Sequence, residues 1–160
     1  MQKVNVICVG KLKEKFYIDA VSEYEKRLQR HCKLSVMELA EQRLSDAPSE
    51  GELRRALAAE AASIREKLPK GGAVVALCIE GKPLTSPQFA EKLRQFALEG
   101  QSQVSFLIGG SCGLDEELKR EADLRLSFSP MTFPHHLARV MLLEQIYRGY
   151  QILEGSKYHK

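Results

Sequence analysis

Short apolar runs alternate along the chain with longer segments whose apolar residues recur at helical spacing. Residues 4–9 form a β-branched run ended by Gly10, which is typical of a buried strand. The next apolar residues recur every three or four positions and predict a helix over about 14–31. The same alternation continues and predicts strands at 34–39, 73–79, 104–108 and 124–128, and helices at 49–68, 86–98, directly after Asp115, and from 134 or 135 to about 150.

Strands that alternate with helices predict a parallel sheet covered on both faces, an α/β fold. Ligands of such sheets bind beyond the carboxyl ends of the strands, so the loops that follow the strands are the first places to search for chemistry. Neither a linker nor an internal repeat interrupts the pattern, and 160 residues suit one domain. We therefore expect a single domain over 1–160.

Composition and charge narrow the function classes only slightly. A chain that is 44% hydrophobic and 28% charged can bury a core, which excludes a disordered or collagen-like protein. A net charge of +3 permits a nucleic-acid partner without arguing for one. There is no apolar run of about 18–20 residues and no signal-peptide pattern, so we expect a cytoplasmic protein without membrane contact.

The cysteines and histidines do not form a metal-binding pattern. The four cysteines, Cys8, Cys32, Cys78 and Cys112, are scattered singly. We expect them to be buried small hydrophobes, with Cys112 as a loop thiol. The neighbouring pair His135 and His136 is too small a set to hold a metal.

Two loops carry candidate chemistry. The first, residues 108–113, holds three glycines directly after an apolar strand, which lets backbone groups approach a ligand, although a tight turn that binds nothing has the same pattern. It has neither a Walker Lys-Ser/Thr nor G-x-G-x-x-G spacing. The second, residues 127–136, holds two prolines, two phenylalanines and a methionine, so it must pack against protein or an apolar ligand. Together the two loops favour a pocket.

The last helix and both ends of the chain carry further candidates. Apolar residues surround nearly the whole circumference of the last helix, which favours a homodimer through this helix over a purely central helix. Tyr158, His159 and Lys160 form either a solvated end or a surface that stacks on a base and meets phosphate. Lys11 and Lys13 follow the first strand and could extend a local basic rim.

The chain resembles the RlmH family of SPOUT-class methyltransferases, which modify large-subunit ribosomal RNA. The resemblance spans the whole chain and rests on motifs at 9–15 (VGKLKEK), 79–82 (IEGK), 106–114 (FLIGGSCGL), 126–135 (LSFSPMTFPH), Arg139 with 144–148 (EQIYR), and 158–160 (YHK). It implies an α/β-knot fold with a C-terminal trefoil knot, a homodimer joined through the last helix, and active sites completed by the neighbouring chain. The implied reaction is methylation of N3 of a pseudouridine in 23S ribosomal RNA, with the assembled ribosome as the expected substrate.

The resemblance also implies a cofactor, S-adenosylmethionine, and positions that bind it. These positions are Leu77, Gly109, Gly110, Phe128, Ser129, Pro130, Met131, Thr132 and Phe133. Because N3–H of a uracil-type base is weakly acidic, a base and nearby positive charge would assist its methylation. Our hypothesis is that His159, or a water that it holds, accepts the proton, that Tyr158 orients the base, and that Arg139 supplies positive charge. The hypothesis assigns RNA contacts to Arg148, Lys160, Lys11 and Lys13.

Two other functions remain open from the sequence. One is a SPOUT methyltransferase that acts on transfer RNA, against which the short chain and its Tyr158-His159-Lys160 ending argue. The other is a non-catalytic α/β module that binds RNA or nucleotides. Binding of S-adenosylmethionine would separate the second alternative from an enzyme.

Overall fold

The computed structural model describes residues 1–160 and confirms the alternation of strands and helices. Its elements, in chain order, are β1 (Lys3–Val9), α1 (Lys15–Leu28), β2 (Lys33–Leu39), α2 (Glu50–Lys67), β3 (Ala73–Pro83), α3 (Ser86–Leu98), β4 (Gln103–Ile108), α4 (Glu116–Glu121), β5 (Leu124–Ser127) and α5 (His135–Leu153).

The five strands form one sheet in the order β2-β1-β4-β3-β5, and every neighbouring pair is parallel. Strands β1 and β4 lie at the centre, and nearly all of their residues are buried. Because all strands run the same way, the carboxyl ends of β4, β3 and β5 lie side by side at one edge of the sheet. The loops that the sequence singled out after β4 and β5 therefore meet at that edge.

The helices cover both faces of the sheet, as predicted. On one face α1, α3 and α5 bury side chains such as Leu28, Leu93 and Leu142 in the larger core. On the other face α2 and α4 bury Ile64 and Leu118 in a smaller core. Helix α5 packs against both α1 and α3 as well as the sheet, which accounts for apolar residues over much of its circumference.

Strand β3 is longer than the sequence predicted, because a bulge divides it. Leu77 and Lys82 both pair with Leu126 of β5, so residues 78–81 leave the ladder and the strand then resumes to Pro83. The prediction that this strand ends at residue 79 was therefore four residues short. The hydrophobic pattern breaks at the bulge, although the backbone pairing does not end there.

Helix α3 begins at Ser86, and Thr85 is its N-cap. The Thr85 Oγ1 accepts a hydrogen bond from the Gln88 backbone N–H at 3.2 Å, and the Gln88 side-chain oxygen accepts one from the Thr85 N–H at 2.9 Å. This capping box satisfies two backbone donors at once. Ser86 is then the first helical residue.

Smaller differences concern helix ends and one cysteine. Helix α1 ends at Leu28, before the predicted 31, and α5 continues to Leu153, beyond the predicted 150. Cys8 and Cys32 are buried and Cys112 is exposed, as expected, but Cys78 is only half-buried because it lies on the bulge. None of the helices has the length and apolar character needed to span a membrane. The C-terminal knot stays a prediction.

Candidate functional site

A cavity of about 810 Å³ lies at the carboxyl edge of the sheet. Its walls are the end of β3 and the loops that follow β4 and β5, and the first turn of α5 closes one side. About half of the residues that line it are hydrophobic. Its size and lining are typical of sites for small organic ligands, which range over roughly 300–1,000 Å³.

Eight of the nine residues predicted to bind a cofactor line this cavity. They are Leu77, Gly109, Gly110, Phe128, Ser129, Met131, Thr132 and Phe133. The ninth, Pro130, is exposed and lies outside the lining. The end of β3 and the loops after β4 and β5 thus meet at the carboxyl edge of the sheet, where a ligand site was expected.

The β3 bulge supplies one wall, which the sequence reasoning missed. It places Cys78, Ile79 and Glu80 along the cavity. Directly after them, Gly81 lies so close to β5 that a side chain there would start 2.8 Å from the Arg125 carbonyl group. A lone glycine inside an apparent strand end was the available signal, because such glycines often mark bulges.

The glycines after β4 are required by the packing of their own loop. A Cβ at Gly109 would lie 2.2 Å from the Gly113 carbonyl oxygen, and one at Gly110 would lie 2.6 Å from a carboxylate oxygen of Glu41. The reason for these glycines that the sequence suggested is access of a ligand to the backbone. The structure adds a second reason, which is the close packing of the loop against itself and against Glu41. The loop can fold tightly only because these two positions have no side chain.

Glu41, which lies just after β2, holds the loop over residues 108–113, called here the glycine loop. Its Oε1 accepts hydrogen bonds from the Ser111 backbone N–H at 2.9 Å and from the Ser111 Oγ at 2.7 Å. Burial opposes the charge of Glu41, but the two hydrogen bonds outweigh it and the pKa of this carboxyl is lowered. The next residue is also anchored, since the Gln42 N–H donates to the Glu60 carboxylate at 2.8 Å. Nothing in the sequence indicated this contact, because Glu41 lies in an irregular polar stretch 70 residues away from Ser111.

A charged cluster borders the cavity on the α4 side. The Lys119 ammonium pairs with Glu80 and with Glu116, the latter at 2.7 Å, while its side chain is only 9% exposed. Burial lowers the pKa of Lys119, but the two carboxylates outweigh that effect and the pKa is raised. This side of the cavity therefore holds one fixed positive and two negative charges.

The opposite side of the cavity is formed by the first turn of α5, where His135 lines the wall. The Nε2 atoms of His135 and His136 lie 3.2 and 3.6 Å from the point where a Gly10 side chain would begin, and Glu41 Oε2 lies 3.6 Å from it. Gly10 also has a φ of +103°, which favours glycine. Two imidazoles and a carboxylate thus surround the end of β1 beside the cavity.

Arg139 lies inside the protein, away from the surface at which the sequence hypothesis had placed it. It is 1% exposed. Its Nη1 donates to Glu38 at 2.6 Å and its Nη2 donates to the Gly10 carbonyl at 3.0 Å, while Glu38 also accepts from the Leu12 N–H at 2.9 Å. Its guanidinium therefore holds the loop over residues 10–13, called here the lysine loop. This loop carries Lys11 and Lys13, whose side chains are exposed.

The C-terminal tail folds back onto α5 of its own chain. The Tyr158 hydroxyl donates to Glu144 at 3.2 Å, and its ring meets Tyr147 edge-on with centroids 5.0 Å apart. His159 Nδ1 lies 3.2 Å from the Arg148 guanidinium. Neither tail residue lines the cavity of this chain. Lys160 is exposed at the end of the chain, so the structure does not bring these predicted residues together with the cofactor positions.

Comparison with known proteins places the chain in a family. Residues 2–159 match a family model described as "Predicted SPOUT methyltransferase". The chain is 46% identical over 158 residues to ribosomal RNA large subunit methyltransferase H of Streptococcus equi subsp. zooepidemicus, and 49% identical over 158 residues to that of Bifidobacterium adolescentis. In both cases the match covers 99% of each chain.

A solved structure supports the fold independently. A crystal structure of a protein ascribed to a methylase family from Neisseria gonorrhoeae has a TM-score of 0.54 and 16% identity, and the match covers 91% of this chain and 82% of the other. At that identity the likeness concerns the fold alone. Taken with the full-length sequence matches, it leads to one conclusion: the chain belongs to the SPOUT methyltransferase family, within the group of the ribosomal RNA large subunit methyltransferases H.

Proposed function

We propose that this protein transfers a methyl group from S-adenosylmethionine to N3 of a pseudouridine in 23S ribosomal RNA. One observation carries the proposal: in a chain that belongs to this family, the β3 bulge and the loops after β4 and β5 meet around a single cavity at the carboxyl edge of the sheet. The names of the relatives supply the class of substrate, large-subunit ribosomal RNA. A ribosomal substrate implies a cytoplasmic location.

The residues of the cavity suit the proposed cofactor. Phe128 and Phe133 provide apolar surface for a flat purine ring, and the backbone of 109–113 provides hydrogen-bonding groups in the same cavity. The fixed charges of Lys119, Glu80 and Glu116 suit the charged amino-acid end of such a ligand. When bound, the cofactor supplies an electrophilic methyl group on a sulfonium, and the protein has to align the target nitrogen with it.

The position of the tail supports a homodimer through α5. Tyr158 and His159 pack near Glu144 and Arg148, which follow the cavity-lining His135 by 9 and 13 residues along the helix. At 1.5 Å per residue those positions lie roughly 14 and 20 Å from the cavity end of α5. A tail from a second copy is therefore the better source of these groups at the cavity. In this arrangement Tyr158 orients the base and His159 lies beside it.

RNA contacts are assigned to exposed or half-buried cations. Lys11 and Lys13 flank the His135 side of the cavity, while Arg148 and Lys160 accompany the tail. Arg139 acts by holding the lysine loop, since its guanidinium is buried against Glu38 and Gly10. A single α/β domain offers little surface on which to read an RNA sequence, so we propose that it recognises the shape of the assembled ribosome.

Cofactor binding is tested first by thermal unfolding with S-adenosylhomocysteine, the demethylated product. A ligand that binds only the folded state raises the melting temperature as its concentration increases. At a ligand concentration of 100 times Kd, the free energy of unfolding rises by about 2.7 kcal/mol. We expect such a rise for the wild type and a smaller one for Gly110→Val, whose side chain would meet Glu41. No shift at millimolar ligand would favour a module that binds RNA without catalysis.

Substrate identity is tested by methyl transfer to ribosomes from cells that lack the protein. We expect one labelled N3-methyl pseudouridine per ribosome by mass mapping of the 23S RNA, and much slower labelling of naked 23S RNA. Removal of residues 158–160 should abolish transfer while leaving S-adenosylhomocysteine binding in place. Labelling of transfer RNA in preference to ribosomes would contradict the proposed substrate.

A further inference from the structure

His135 is the only histidine that lines the cavity. The other ionisable residues at the wall are Cys78, Glu80, Cys112, Glu116 and Lys119. Histidine is the side chain whose ordinary pKa, about 6.5, allows it to accept a proton near neutral pH and release it again. Lys119 is already protonated and ion-paired, and the carboxylates beside it are weak bases.

The surroundings of His135 lower its pKa and so favour the neutral imidazole. Burial, followed by the neighbouring His136, lowers its pKa, and Arg139 acts in the same direction. Glu41 and Glu14 raise the pKa, but their effect is the smaller one. His135 is also the first residue of α5, where the positive end of the helix dipole disfavours an imidazolium. A neutral imidazole has a free ring nitrogen that can accept a proton.

His135 also lies where the cavity meets the lysine loop. Its Nε2 is 3.2 Å from the position of a Gly10 side chain, and Lys11 follows directly. A nucleotide whose phosphates contact Lys11 and Lys13 would thus present its base to the His135 side of the cavity. The protein's own His159 lies instead against Arg148, near the other end of α5.

We propose that His135 accepts the proton that leaves N3 of the target base during methyl transfer. The inference rests on the function proposed above and names a residue of the same site. As the N3–H bond breaks, its proton goes to a ring nitrogen of His135, and its electron pair forms the bond to the methyl carbon. The electron pair of the broken carbon–sulfur bond remains on sulfur, so the sulfonium becomes a neutral thioether. His135 then releases the proton to water at the mouth of the cavity.

The nearby carboxylate gives this imidazole a way to carry its transient charge. Glu41 Oε2 and His135 Nε2 both border the same point at Gly10, at 3.6 and 3.2 Å. Glu41 is itself held as an anion by Ser111. The same carboxylate therefore orders the glycine loop and faces the histidine that becomes cationic during the reaction.

The test compares His135→Asn with His136→Asn and His159→Asn. Asparagine keeps a polar side chain of similar reach but cannot accept a proton at neutral pH, and His136 is a matched control because it lies beside His135 without lining the cavity. Single-turnover methyl transfer to ribosomes is measured from pH 5 to 9, and S-adenosylhomocysteine affinity is measured by calorimetry. The titration of each imidazole is followed by NMR in the same complexes.

We expect the wild-type rate to rise with pH through an inflection below pH 6.5, because only the neutral imidazole accepts a proton. His135→Asn should slow transfer by about 10²–10⁴-fold and remove the inflection, while product affinity stays within about threefold. His136→Asn should keep the plateau rate and move both the inflection and the NMR titration of His135 to higher pH, since a depressing neighbour has gone. The inflection should persist in His159→Asn.

Three results would overturn the assignment. The first is methyl transfer by His135→Asn at the wild-type rate. The second is a pH inflection that disappears only in His159→Asn, which would make His159 in the tail the proton acceptor. The third is a large loss of product affinity in His135→Asn, which would make the residue part of cofactor binding. If the wild type itself transfers no methyl group to ribosomes, the proposed function fails and the inference fails with it, whereas an active wild type isolates the question of His135.

Discussion

Replacement of Arg139 by methionine tests how the lysine loop is held. The guanidinium is 1% exposed and donates to Glu38 at 2.6 Å and to the Gly10 carbonyl at 3.0 Å. Methionine has a similar length and no charge, so Arg139→Met removes both hydrogen bonds without opening a large cavity. The Glu38 carboxylate keeps only the Leu12 N–H as a partner.

The expected loss of stability follows from the burial of the pair. Removal of one partner from a buried ion pair costs about 3–5 kcal/mol, because the other charge is left uncompensated. The Glu38 side chain is 35% exposed, so water can solvate part of its charge, and we expect the low end of that range, about 3 kcal/mol. In a domain of this size each kcal/mol moves the melting temperature by roughly 2–4 °C, so the expected drop is about 6–12 °C.

Urea unfolding of a double-mutant cycle measures the pair directly. Glu38→Gln keeps an acceptor for Leu12 and removes the charge, so the combination with Arg139→Met should cost less than the two single changes together, by about 0.5–3 kcal/mol. Arg139→Lys is a further control, since it keeps the positive charge but loses the planar guanidinium group that contacts Glu38 and Gly10 at once. A loss below 1 kcal/mol in Arg139→Met with abolished methyl transfer would refute this reasoning and favour a direct catalytic role for Arg139.

Three other predictions concern the walls of the cavity and the start of α3. Glu41→Gln and Ser111→Ala should each weaken S-adenosylhomocysteine binding by about 5–30-fold in calorimetry, because each removes about 1–2 kcal/mol of the free energy that holds the glycine loop in place. Additive effects in the double variant would show that the two residues act separately. Gly81→Ala should lower the midpoint of urea unfolding and the product affinity together, since its Cβ would start 2.8 Å from the Arg125 backbone, and unchanged affinity would mean that the bulge does not shape the cavity. Thr85→Ala should cost about 1 kcal/mol of unfolding free energy through loss of the capping box, with methyl transfer unaffected; a cost near zero would contradict its role as N-cap.

The local hydrophobic pattern was sufficient to predict the order of elements. Short apolar runs and helical spacing are properties of neighbouring residues, and every strand and helix lies where they indicated, with ends shifted by a few positions. The parallel sheet followed from the alternation itself, because parallel strands need a crossover between them. The carboxyl edge, and with it the loops after β4 and β5, could then be located without coordinates.

Contacts between distant segments could not be predicted in this way. The hold of Glu41 on Ser111 spans 70 residues, and the pairing of Arg139 with Glu38 spans 101. No periodicity connects such positions, since they meet only when the fold brings their helices, strands and loops together. The same reason explains why Arg139 was expected to supply charge to the substrate and lies instead in the interior.

The α/β class, the order of the elements and most of the residues around the cavity could be predicted from the sequence alone, because they depend on local patterning and on motifs that stay together along the chain. Which residues face the cavity, and which hold its walls in place, became known only from the folded structure. The β3 bulge, the carboxylate clamp on the glycine loop, and the position of His135 beside Gly10 all arise from packing across the strand order β2-β1-β4-β3-β5. Long-range packing selects one partner among many chemically similar side chains, and that selection is settled by the folded geometry rather than by any single stretch of sequence.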